Sequence, residues 1–194
     1  MPLLIVIGLL VLVAFWGIST YNFFVSTQAR VKAAIQEIGN QLKRQADLIP
    51  NLEAAAKGYL THEKGIFTAL TDARKDVSAA VKSGNLQKMS DAGSKVAQLL
   101  PQIKIAVESN PEIKGAEVVT PLMEELRDTA DKIMYSRRLL IDLTADYNVK
   151  RVTFPSSIIA NMAGVTELKG MIMENEADAN AMSAADMKTP KISL

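Results

Sequence analysis

Cysteine is absent from the 194 residues, so neither a disulfide framework nor thiolate chemistry is available. Histidine occurs once, at position 62, which excludes a multi-histidine metal site within one subunit and the paired Glu-x-x-His motifs of a di-iron bundle. No glycine-rich phosphate loop occurs, and no serine has the setting of a nucleophile elbow. Neither sign of charge dominates: 22 basic against 21 acidic residues give +1, no basis for expecting nucleic acid. Catalysis and cofactor binding therefore have no motif behind them, and the expectation is a protein without enzymatic activity or cofactor.

What is present begins at once. Residues 3–18 read LLIVIGLLVLVAFWGI, with nothing charged, and no charge follows before Arg30. A helix over residues 3–25 would be roughly 35 Å long, enough to cross a hydrocarbon core of about 30 Å with some tilt. No basic residue precedes the run, and Trp16, Tyr21, Phe23 and Phe24 at its exit suit an interfacial belt better than a cleavage site. Residues 1–29 are thus expected to be a transmembrane anchor. Arg30, Lys32, Lys43 and Arg44 follow it, which places the N-terminus outside and the remainder in the cytoplasm.

From Arg30 a seven-residue repeat sets in. One row is Val31, Ile38, Leu52, Tyr59, Ile66, Ala73 and Ala80, with Gln45 as its polar member; its companion is Ile35, Leu42, Ile49, Ala56, Leu70 and Val77, with Glu63 as the exception. The phase does not slip at Pro50, which predicts one long helix over residues 30–82, kinked at the proline. Ser83-Gly84-Asn85 is a turn. A second helix follows through Leu86, Met89, Gly93, Val96, Leu100, Ile103 and Val107, stopped by Asn110-Pro111. Thr120-Pro121 reads as an N-cap and first helical position. A third helix runs from there to just before Thr153. Ser156 is placed as the cap of a short fourth helix, residues 157–163, ended by Gly164. The expected fold is all-α: a transmembrane helix, then over residues 30–165 an antiparallel bundle of three long helices and a short fourth. Residues 166–194 form an acidic tail, and residues 162–187 hold five of the nine methionines. The tail is expected to be partly disordered or in contact with another copy; its irregular thioether spacing argues against copper.

His62-Glu63 is the one histidine beside an acid. A helical zinc protease needs a second histidine four residues on, where Ile66 stands. Glu63 lies on the apolar stripe instead, and Arg137 on the third helix is its expected partner, a buried pair that fixes helix register.

The text of residues 41–63, QLKRQADLIPNLEAAAKGYLTHE, resembles the LemA family of bacterial membrane proteins, whose core reads like LKRRxDLIPNLVxxVKGYxxHE. Leu42, Lys43, Arg44, Asp47, Pro50, Asn51, Lys57, Gly58, Tyr59, His62 and Glu63 carry the match. Arg74, Tyr21-Asn22, Glu108, Pro111, Lys114, Arg137, Tyr147-Asn148, Phe154-Pro155 and Ala160 extend it over residues 1–165. Departures are Gln45 for a second arginine, Ile35 for tryptophan, Gly39 for aspartate and Glu53 for an apolar residue. The resemblance implies a single anchor in the bacterial inner membrane, a cytoplasmic helical bundle and no established activity. It also implies membrane organisation, by analogy with a member linked to magnetosome membranes.

Two functions follow as expectations. The first is a scaffold that self-associates: a stripe over residues 30–82 outruns the second helix, so Val31, Ile35, Ile38 and Leu42 would be covered by a second copy. The second is an adaptor recruiting a soluble protease or chaperone to the bilayer through the Met-rich tail.

Overall fold

The computed structural model describes residues 1–56, 64–109 and 118–169. Among them are five helices and no strand: α1 (Pro2–Ala56), α2 (Lys64–Ser83), α3 (Leu86–Ser109), α4 (Val119–Val152) and α5 (Ser156–Met162). The expected helical bundle is what forms, with differences in how it is cut from the chain.

Helix α1 has 55 residues, roughly 80 Å of continuous helix. It passes position 29 unbroken, so the apolar run and the first bundle helix are one rod. Pro50 lies inside it. Its missing N–H leaves the Ala46 carbonyl without a helical donor, at a cost of about 3 kcal/mol. Leu48, Ile49 and Leu52, all buried beside it, contribute roughly 1.5–3 kcal/mol each. Packing wins, and the helix continues.

The single helix over residues 30–82 is not what the chain makes. α1 ends at Ala56, α2 starts at Lys64, and α2 lies back against α1. Thr71 Oγ1 donates to Glu53 Oε1 at 2.8 Å, whereas 18 residues of unbroken helix would hold the two roughly 27 Å apart. The interval between the helices is residues 57–63, one heptad in length. An insertion of one heptad leaves the phase of the stripe unchanged, so periodicity alone could not reveal the reversal.

On α2 the stripe Leu70, Ala73, Val77 and Ala80 is buried. The turn after it forms as expected: Gly84 has φ +61°, open to glycine at little cost. Asn85 Oδ1 accepts from the Lys88 N–H at 3.0 Å and caps α3. α3 runs to Ser109 with Pro101 inside. α4 starts earlier than expected. Val118 is its N-cap without a side-chain hydrogen bond, and Thr120 and Pro121 fall in the first turn, where a missing N–H is tolerated. It ends at Val152, with Lys150 and Arg151 in the last turn, where cations suit the helix dipole. α5 likewise begins at Ser156 rather than after it. The Ser156 hydroxyl is turned away from capping and lies 2.7 Å from the Lys150 carbonyl and 2.9 Å from that of Thr153.

α1 is the hub: α4 and α2 both pack along it, α3 closes on α2, and α3 meets α4 more sparsely than α1 does. The centre is aliphatic, with Ile38, Leu42, Ile49, Leu52, Leu70, Val77, Val96, Ile103, Leu126 and Leu140 enclosed. At Gly93 α3 runs close to both α1 and α4. A Cβ there would lie 3.3 Å from Ile133 Cγ2 and 3.4 Å from Leu42 Cδ2. A second, smaller cluster of Phe24, Tyr147 and Ala160 ties the ends of α4 and α5 to α1.

Candidate functional site

The residues expected to form an uncovered seam are inside the molecule. Ile38 and Leu42 are wholly enclosed, Val31 is buried, and Ile35 packs against the same core. α4 runs antiparallel alongside α1, from Glu125 at Arg44 to Tyr147 at Phe24, and α3 closes on the same face where Gly93 approaches Leu42. The premise that these residues lack a partner within the chain does not hold: its own helices bury Val31, Ile38 and Leu42 and pack against Ile35.

The polar residues singled out by sequence scatter over the surface of that packing. Arg44 Nε donates to Glu125 Oε1 at 2.9 Å, and Nη2 reaches the same oxygen, bridging α1 to α4. Asp47 and Asn51 are exposed one turn apart, with Asn51 Nδ2 donating to the Asp47 carbonyl at 3.4 Å. Arg74 is exposed on α2. Arg137 Nη1 donates to Ser94 Oγ at 2.8 Å, joining α4 to α3. His62 and Glu63 lie outside the described residues, as do Tyr59, Pro111 and the tail beyond residue 169. Gln45, the polar member of the stripe, is fully buried with neither end of its amide hydrogen-bonded to protein among the described residues.

A concavity that sequence reasoning missed lies where α3 and α4 part. It encloses about 910 Å³. Gly93, Ala97, Pro101, Ala130 and Ile133 line it, together with the charged Lys104, Glu124, Arg127, Asp131 and Arg137. Small side chains at 93, 97 and 130 keep the helices from filling the space. Gly93, Ala97 and Pro101 recur every four residues on one face of α3, and that spacing was the available signal. The lining suits an apolar segment with charged flanks. It contains no histidine or cysteine, and among the described residues no group of three or more His, Cys, Asp or Glu converges to hold a metal.

The remaining expected residues gather at the other end. Tyr147 is buried, its ring edge-on to Phe24 with centroids 5.3 Å apart. Burial raises its phenol pKa above 10.0, and Arg151 pulls weakly the other way. Asn148 Nδ2 donates to the Leu168 carbonyl at 2.8 Å, and Oδ1 accepts the Leu168 N–H at 3.0 Å. Phe154 and Pro155 form the exposed corner between α4 and α5. Near them α1 is bare over residues 3–18, and α1 is the one helix, among the described residues, long and apolar enough to span a membrane.

Compared with known sequences, residues 34–184 match the model of the LemA family. No curated protein matches the chain.

Proposed function

The chain belongs to the LemA family, and on that premise we propose that it is a non-catalytic, membrane-anchored scaffold that holds a rigid helical bundle at the bilayer and organises what gathers there. One observation carries the reading. The same helix, α1, is bare and apolar over residues 3–18 and fully enclosed at Ile38, Leu42 and Ile49. Water suits neither surface: the first calls for acyl chains, and the second is the core of the bundle. With no break between them, the anchor is also the central post. Self-association along the seam is no part of this reading, since α4 occupies it. The basic residues Arg30, Lys32, Lys43 and Arg44 after the apolar run favour a cytoplasmic bundle in the bacterial inner membrane.

A second reading is favoured by the groove: an adaptor that takes an apolar segment of a soluble protein, such as a protease or chaperone, between α3 and α4. The lining offers apolar surface and charge for such a segment, and α1 would fix it near the membrane.

Alkaline extraction of membranes carrying the full chain tests the scaffold. Retention in the pellet is expected, and release into the supernatant overturns the anchor. Because the chain has no cysteine, Tyr135→Cys reports orientation: an impermeant maleimide should label it only after lysis, and labelling in intact spheroplasts reverses the topology. Pull-downs with Ala97→Trp, which fills the groove, should lose a partner that the parent chain captures. An unchanged partner set counts against the adaptor.

A further inference from the structure

Two stretches of this chain carry no charged side chain at all: residues 1–29 and residues 152–166. They are far apart in sequence, and the fold brings them together. A Cβ on Gly17 would lie 3.5 Å from Ile159 Cδ1, and Ala160 is fully buried in the cluster with Phe24 and Tyr147. The inner face of α5 is therefore spent on α1. Its outer face and the corner before it are apolar and open: Val152 is 63% exposed, Phe154 78%, Ile158 49% and Met162 80%. On α1 beside them Ile18, Tyr21 and Val25 are open as well. This patch is continuous with the bare face of α1, so on the reading of α1 as a membrane helix lipid borders it.

Charge begins immediately above. Lys150 and Arg151 precede the uncharged corner, Glu167 and Lys169 follow it, and Arg30 and Lys32 stand on α1. Lys150 Nζ sits 3.8 Å above the Phe23 ring, whereas Ile159 is level with Gly17. With α1 as a ruler, the six residues from Phe23 to Gly17 put the tip of the Ile159 side chain about 9 Å nearer the bilayer centre than the Lys150 ammonium, while Ala160 beside it packs at the level of Phe24. Helices that lie in the interface plane bury their apolar face by about 5–10 Å. Asn161 shares the open face of α5, and its amide suits that zone and not the acyl core.

We propose that the α4–α5 corner and α5 are inserted in the membrane interface beside α1, with Phe154, Ile158 and Met162 at the boundary between glycerol backbones and acyl chains. The protein then meets one leaflet twice, through a spanning helix and through a short foot lying in the plane. Two such contacts set the tilt of the bundle, which a single helix leaves free. The inference rests on the reading of α1 as a membrane helix, and its test separates the two.

The full chain, free of cysteine, is reconstituted in phosphatidylcholine–phosphatidylglycerol vesicles with one spin label at Leu10→Cys, Ile158→Cys, Met162→Cys or Tyr135→Cys. Collision with oxygen, which partitions into lipid, is compared with collision with a water-soluble nickel chelate. The oxygen-to-nickel ratio at positions 158 and 162 should be several-fold above that at 135 and below that at 10. If 158 and 162 match 135 while 10 reads as lipid, the foot is overturned and the anchor stands. If 10 also reads as aqueous, both fall. If 158 and 162 are shielded from both reagents, protein covers the patch, either residues 170–194 or a second copy, and the proposal is overturned. Helical content equal to the parent's by circular dichroism is required of each labelled chain.

Discussion

Asn148 and Leu168 are joined by both edges of one amide, at 2.8 Å and 3.0 Å. The pair fastens the chain after α5 back onto α4 as a strand partner would, although no strand is present there. Each side-chain bond contributes about 1 kcal/mol net, and a stranded partner costs more. Asn148→Ala should therefore lower stability by about 1–3 kcal/mol and speed hydrogen exchange at the Leu168 amide. Asn148→Asp keeps the acceptor and loses the donor, and should also speed that exchange. Unchanged exchange in both variants would mean that the pair holds nothing.

Since α4 seals the seam, Ile38→Ala should act on folding and not on association. Truncating an enclosed isoleucine costs about 2–5 kcal/mol, while Tyr135→Ala on the open face of α4 should stay within about 0.5 kcal/mol. Urea titration measures both, and light scattering in detergent should show the same mass for Ile38→Ala as for the parent chain.

Gln45 is a desolvated amide without a protein partner among the described residues. Gln45→Met keeps its length and removes both polar ends. It should raise stability by about 1–3 kcal/mol at most, read as a higher denaturation midpoint. A fall would show that the amide is bonded after all.

Arg44 and Glu125 are both about half exposed. Solvent screening leaves such a pair about 0–1 kcal/mol. Arg44→Ala should cost no more than that, and the difference should shrink as salt rises. A larger loss would point to a role for the Arg44 stem in packing.

Tyr147 contributes to the pH dependence on the alkaline side. Its phenol stays neutral in the folded chain above the pH where it ionises unfolded, so the unfolded state releases the proton first. Stability should fall as pH rises through the ordinary tyrosine value of 10.0. Tyr147→Phe should remove that part of the slope, read from denaturation midpoints between about pH 9 and 11.

Periodicity read the helices well and their connection badly. Leu70 and Val77 continue the rows of Leu42 and Ile49 in perfect phase, yet they lie on a helix pointing the other way. A stripe records which face is buried and not what buries it. The same limit hid the cover over Ile38 and Leu42: α4 was recognised as a helix by its own apolar row, and nothing in that row names its partner. Arg137 is expected to pair with Glu63, which lies outside the described residues; among the described residues its guanidinium donates to Ser94. The groove went unseen because Gly93, Ala97 and Ala130 mark room only when the helices carrying them face each other.

By itself the sequence determined that this chain is helical, where its lipid-compatible run lies, where Gly84 and Phe154-Pro155 interrupt it, and which family it belongs to. Those properties depend on neighbours a few residues apart: spacing, turn chemistry and transfer of side chains out of water. Only the tertiary structure decided that the chain reverses before Lys64, that α4 seals α1, and that two uncharged stretches meet at Gly17 and Ile159. Those are choices among partners for equally apolar faces, and the hydrophobic effect, being non-directional, does not make them until shape and chain connectivity are added.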